Sequence, residues 1–140
     1  LRTLALTDIS WDEASRAMYA RHAIEGVAFR NLHTLFGHVI TSGQPVLSNH
    51  PRQDPRSGGL PAGHRSMDNF LGLPFFRGDE MLGMVGVANR PGGYDDSLVT
   101  GLQPLLSTCA ALTVAARSET GRRQAEEALR LSEARWQFAL

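Results

Sequence analysis

Residues 69–76 (NFLGLPFF) and 81–89 (MLGMVGVAN) are two apolar runs joined by Arg77-Gly78-Asp79-Glu80, and this pair constrains the chain more than any other feature. Apolar runs on either side of a short Gly-Asp turn predict an antiparallel hairpin. Side chains alternate faces along a strand. In the first run Phe70, Pro74 and Phe76 share one face, and Leu71, Leu73 and Phe75 share the other. In the second, Val85 and Val87 oppose Leu82, Met84 and Ala88. A hairpin with one wet face alternates apolar and polar residues; this one is apolar on both, so both faces must be covered. Gly72, Gly83 and Gly86 mark places where a neighbour packs close to the backbone.

The segments before the hairpin supply some of that cover. Leu4, Leu6 and Ile9 predict an opening strand. Ser10-Trp11-Asp12-Glu13 reads as a capping box for a helix over 11–22, with Ala14, Met18 and Tyr19 inward. Gly26 interrupts the pattern before a short apolar patch, Val27 to Phe29. Asn31 is placed to cap a second helix, in which Leu32, Leu35, Phe36, Val39 and Ile40 follow at helical spacing. Gly43 is placed to end it in a left-handed conformation, and Pro45-Val46-Leu47 predicts a short strand. Residues 50–66 (HPRQDPRSGGLPAGHRS) then exclude regular structure by their prolines and glycines. A loop of that length inside a small domain is usually functional or mobile.

After the hairpin, Arg90-Pro91-Gly92-Gly93 makes a corner, and Asp95 or Asp96 is placed to cap a final helix. Leu98, Leu102, Leu105, Cys109, Leu112 and Ala116 recur at alternating steps of four and three, a heptad seam. Beyond Ala116 the seam turns charged, with Glu119–Arg123 and Glu126–Arg130 as helical pairs and Ala125, Leu129 and Trp136 as a thin apolar edge. Gly121 is its weak point. A continuous helix to Phe138 would be about 65 Å long at 1.5 Å per residue, a length that a partner helix or following domain would justify.

Composition removes several function classes. A chain of 140 residues, 42% hydrophobic, fits one domain with an ordinary core. Acidic and basic residues balance at 14 each, so no basic excess invites nucleic acid or an anionic membrane. No apolar run approaches the roughly 18–20 residues that span a bilayer. Cys109 is the single cysteine, which excludes an internal disulfide or thiolate cluster and fits cytoplasmic conditions, with the thiol as a small buried hydrophobe. The first residues carry no signal-peptide pattern and begin without Met, which suggests a piece of a longer protein.

The pieces Leu60-Pro61-Ala62-Gly63-His64, Phe70-Leu71-Gly72-Leu73-Pro74, residues 82–95 (LGMVGVANRPGGYD) and Leu102-Gln103-Pro104-Leu105-Leu106, in this order, resemble a GAF domain. The resemblance is to bacterial GAF modules beside PAS, histidine kinase or diguanylate cyclase domains. Residues 125–136 (AEEALRLSEARW) are similar to the helix leading into a PAS domain. The resemblance implies an α+β, profilin/PAS-like fold. A central antiparallel sheet has helices on one face and, on the other, a pocket closed by the 50–66 loop, and a long C-terminal helix follows. It implies a GAF domain over 1–118, with the usual first helix upstream of Leu1, and a signalling or linker helix over 119–140. It also implies a non-catalytic, cytoplasmic sensory module that binds a small molecule, dimerises through its terminal helices and relays to a downstream PAS or output domain. The alternative is a ligand-free dimerising spacer.

Candidate pocket residues are His50, Arg52, Asp54, Arg56, His64, Phe70 and Phe75. The loop charges could bind an anionic ligand or close a lid by salt bridges, but a plain solvated loop is the simpler reading. His50 and His64 flank the loop, and no His-x-x-x-His pair or other metal-ligand spacing occurs. GAF domains for cyclic nucleotides carry an Asn-Lys…Phe…Asp-Glu pattern, from which Asn89-Arg90 and Tyr94-Asp95-Asp96 depart. A bilin would need a pocket cysteine, and sulfoxide reduction would need several. The cofactor, if any, is not specified by the residues. Arg-Pro-Gly-Gly lacks the Lys and Ser/Thr of a phosphate loop, and no catalytic triad or carboxylate pair stands out.

Overall fold

The hairpin is the centre of the molecule. A computed structural model of the chain describes residues 12, 13, 15–17, 20, 31–58, 60 and 66–138. Strand β1 (Val46–Ser48), β2 (Phe70–Arg77) and β3 (Glu80–Ala88) form an antiparallel sheet in that order. Gly78, at φ 57°, takes the left-handed backbone that the two-residue turn between β2 and β3 requires. From Phe70 to Phe75 every residue of β2 is buried, as a strand covered on both faces must be. β1 pairs only with Phe70, Leu71 and Gly72, so Pro74 lies where β2 has a free edge among the described residues and its missing N–H is tolerated.

Helices take up the two faces. Leu71, Leu73, Phe75 and Leu82 pack with Tyr94 and Leu106 into one core. This core is closed by helix α2 (Asp96–Gly101) and helix α3 (Gln103–Phe138), through Leu98, Leu102, Cys109, Ala110 and Val114. On the other face Phe70, Val46 and Met67 pack with Leu35 and Val39 of helix α1 (Leu35–Ser42). The face expected to lie under the 50–66 loop is thus occupied, among the described residues, by α1. Gly72 and Gly86 face each other across β2 and β3. A Cβ on Gly72 would meet Val39 at 2.6 Å and the Phe70 ring at 2.8 Å, and one on Gly86 would meet Phe36 at 2.9 Å. The glycine floor admits the Phe36 and Phe70 rings, whose centroids are 4.8 Å apart and tilted by 59°. Full burial of Phe70, Leu71 and Leu73 contributes about 1.5–3 kcal/mol each over leaving them exposed.

Several expectations need correction. The register slips by one between Phe75↔Gly83 and Phe76↔Met81, leaving Leu82 unopposed. This bulge turns Leu82 onto the face of Val85 and Val87, while Met81 joins Met84 on the other, because one inserted residue reverses the alternation. The second helix is capped by Thr34, whose hydroxyl accepts from the Gly37 amide at 3.0 Å; Asn31 instead accepts from the His33 amide at 2.9 Å in a turn before it. Gly43 ends that helix at φ 64°, with its N–H on the Val39 carbonyl. Near the N-terminus, the Asp12 carboxylate accepts from the Ser15 amide and the Ser15 hydroxyl from the Asp12 amide, at 2.7 and 3.0 Å. That reciprocal box lies two residues beyond the expected Ser10–Glu13 box, whose Ser10 lies outside the described residues. The expected strand at Leu4–Ile9, most of the 11–22 helix, the Val27–Phe29 patch and His64 lie outside the described residues.

The final helix is divided, and its seam with it. Leu102 caps α2, its N–H on the Leu98 and Thr100 carbonyls, and Pro104 sits in the first turn of α3, where a missing N–H costs nothing. Helix α3 is 36 residues, about 54 Å rather than 65 Å. Its inward stripe is the buried Leu106 and Thr113 with the partly buried Cys109, Ala110 and Val114. Leu105 and Leu112, placed in the seam by heptad counting, are 44% and 65% exposed. Glu126 pairs back to Arg122 rather than forward to Arg130, and Glu119 holds Arg122 at 3.0 Å and Arg123 at 2.8 Å.

Chemical denaturation checks the glycine floor. Gly72→Ala overpacks the α1 face and is expected to lower stability by about 1–3 kcal/mol. Gly121→Ala, in exposed helix with nothing within 4 Å of its Cβ, is expected to raise it by up to about 1 kcal/mol.

Candidate functional site

The first half of the long loop is folded back on β1 by its own charges. Two successive turns, closed by Gln53 N–H on the His50 carbonyl and Ser57 N–H on the Asp54 carbonyl, bring Asp54 and Arg56 together. The Arg56 guanidinium grips the Asp54 carboxylate through Nε at 2.9 Å and Nη2 at 2.7 Å, and Nη2 also donates to the Leu47 carbonyl at 3.2 Å. The Arg56 amide adds a bond to the same carboxylate at 2.9 Å. The Asp54 side chain is only 9% exposed, against 35% for Arg56. These bonds, the Arg56 side chain first, hold the Asp54 carboxyl well below the usual carboxylate range against the opposing effect of burial. Gly58 lies against α1's leading turn, where a Cβ would meet the His33 carbonyl oxygen at 2.0 Å.

Past the end of β1 and at the far ends of β2 and β3, asparagine side chains bind other parts of the chain. The Asn49 side-chain amide donates to the Tyr94 carbonyl and accepts from the Tyr94 amide, both at 2.9 Å. Asn69 does the same to Arg90, with both bonds at 2.9 Å. Asn89 reverses the direction: its side chain accepts from the Asp68 amide at 2.8 Å and donates to the Ser66 carbonyl at 3.1 Å. Asn89 adopts φ 62°, a left-handed backbone that asparagine tolerates better than most residues. Each amide mimics a short piece of strand pairing where no regular ladder runs. One residue beyond Tyr94, Asp95 caps α2, accepting from the Leu98 amide at 3.1 Å.

The predicted pocket residues separate. His50, Asp54 and Arg56 line a shallow open cleft beside β1, together with Gln53. Arg52 is exposed. Phe70 is buried under α1, while Phe75 is buried on the opposite face of β2 against α3, so the two rings cannot line one cavity. Asp54 and Arg56 satisfy one another, and Arg56 also bonds the β1 backbone. The asparagine clasps were not read from the sequence. The one local signal was Asn89 ahead of Arg-Pro-Gly-Gly, a residue suited to positive φ at a corner.

A family model for the GAF domain matches residues 4–113. The chain belongs to the GAF domain family. A curated relative, the methyl sulfide methyltransferase-associated sensor of Methanosarcina acetivorans, is 31% identical over 97 residues, covering 69% of this chain and 9% of its own length. The chain therefore corresponds to a small part of that protein. The relative is archaeal, so the likeness is not confined to the bacterial modules suggested by the motifs. No solved structure matches. Membership of the GAF family and a relative named a sensor together support a sensory signalling module.

Because the folded-state pKa of Asp54 is depressed, its stabilisation is complete above the unfolded pKa and is lost as pH falls through the folded one. Wild type should therefore exceed Asp54→Asn in stability most above pH of about 4, with the gap closing as pH falls toward about 2. Denaturant titrations across that range check it; a constant gap would contradict the ion-pair account.

Proposed function

We propose that this GAF domain is the ligand-sensing part of a larger cytoplasmic signalling protein and relays through a homodimer of its terminal helices. On this reading residues 1–118 are the sensor and 119–140 the helix that carries its state into a PAS, histidine kinase or diguanylate cyclase domain. The observation that carries it is the course of α3. Among the described residues, Arg117 is the last in α3 that bonds to the sheet, donating to the Leu82 carbonyl at 3.3 Å and facing Glu80 at 3.6 Å. Every residue from 121 to 131 is exposed, including Leu129 and Leu131 at 60% and 56%. Helix exposed all round is stabilised by a partner or by its own ion pairs, and Leu105 and Leu112 extend the apolar surface back onto the domain.

The second reading is a dimerising spacer with no ligand. It is favoured by the α1 face, where Phe36, Phe70, Val39 and Met67 fill the space under the helix. Native mass spectrometry of the protein purified from its host separates the two. The sensor should show a dimer carrying additional small-molecule mass; a dimer of bare chain mass favours the spacer. Ending the chain after Arg117 should shift the dimer toward monomer in analytical ultracentrifugation. A truncated chain as dimeric as the original would rule out the helical tail as the interface.

A further inference from the structure

We infer that the three asparagines couple the anchored loop to the start of the output helices, so that freeing the loop from β1 loosens the first turns of α2 and α3. The connections are short and continuous. Arg56, gripped by Asp54, ties the loop to the Leu47 carbonyl. Asn49, two residues on, holds Tyr94 through both of its amide atoms. Tyr94 is 8% exposed in the core with Leu71, Leu73 and Leu106, and it immediately precedes the α2 cap. On the far side of the loop, Ser66 and Asp68 are held by Asn89, and Asn69 holds Arg90. Both sides of the loop therefore meet at one corner, residues 89–94.

Among the described residues, that corner is tied to the ladder only at its start, where the Asn89 N–H donates to the Asn69 carbonyl at 3.1 Å. Asn89, Gly92 and Gly93 have φ of 62°, 82° and 79°, and β3 itself ends at Ala88. Arg90 closes it internally, its side chain donating to the Gly93 carbonyl at 2.6 Å and its carbonyl accepting from the Gly93 amide at 3.0 Å. Gly93 has no room for a side chain, since a Cβ would lie 2.7 Å from the Asn49 oxygen. A backbone of this kind is set by what clasps it, so a displacement of β1's end is passed to Tyr94 and Asp95. The coupling is a property of the fold and holds with or without a ligand. A ligand-free spacer passes the test below, and its failure leaves the sensory reading to native mass spectrometry.

Backbone amide exchange, read by NMR on the full 140-residue chain, tests it as a double-mutant cycle. Arg56→Ala should speed exchange at Ser57, and also at Leu98 and Leu102, the latter two by about fivefold. In an Asn49→Ala background, adding Arg56→Ala should leave Leu98 and Leu102 within about twofold of Asn49→Ala alone. The inference is overturned if Arg56→Ala affects Ser57 alone, if Ser57 does not respond, or if Leu98 and Leu102 respond equally with and without Asn49. Should an alanine variant not fold, Asp54→Asn replaces Arg56→Ala. Asn49→Asp, which keeps the acceptor for the Tyr94 amide but loses the donor, replaces Asn49→Ala under the same criteria.

Discussion

Two glycines facing one another across a hairpin decide how the rest of this domain is arranged. With side chains at Gly72 and Gly86, the Phe36 and Phe70 rings would have no floor to lie on, and α1 would stand off the sheet. Without them, α1 comes close enough to bury Leu35 and Val39 almost completely. The opposite face of the same strand carries Leu71, Leu73 and Phe75 and holds α2 and α3. A strand buried from both sides has to sit between two layers, so the three-layer order follows from the composition of eight consecutive residues.

What the amino acids disclosed and what they concealed divide along the range of the interactions. Local patterns were legible: the turn at Gly78, the stop at Gly43, the two greasy faces and the glycines that admit close neighbours. The error at Leu82 came from counting by twos through a bulge, since an inserted residue leaves no mark on an apolar run. The heptad seam failed for a related reason. Counting ran through Leu102 and Pro104, where the helix is interrupted, and it combined residues the sheet claims with Leu105 and Leu112, which it leaves outside. Asn31 and Thr34 are both capping residue types three positions apart, and only the geometry separates a turn from a cap.

The site was less legible than the fold because its bonds span long stretches of chain. Asn49 meets a backbone 45 residues away, and no periodicity reports such a pairing. The charged loop residues were visible, and their partners were not. Asp54 and Arg56 stand two apart, close enough to satisfy one another once two turns fold the loop back. Phe70 and Phe75 stand five apart on a strand, and the odd spacing alone sends their rings to opposite layers.

Helix α3 is fixed to the domain over its first turns and extends well past its last sheet contact. From Arg117 to Phe138 it reaches about 31 Å into its surroundings at 1.5 Å per residue. A rod held at one end acts as a lever. A tilt of about 10° at Arg117 would sweep the far tip through about 5 Å, roughly the rise of one helical turn. Movements too small to disturb a close-packed core would thus become large enough at the tip to change how a neighbouring domain is met.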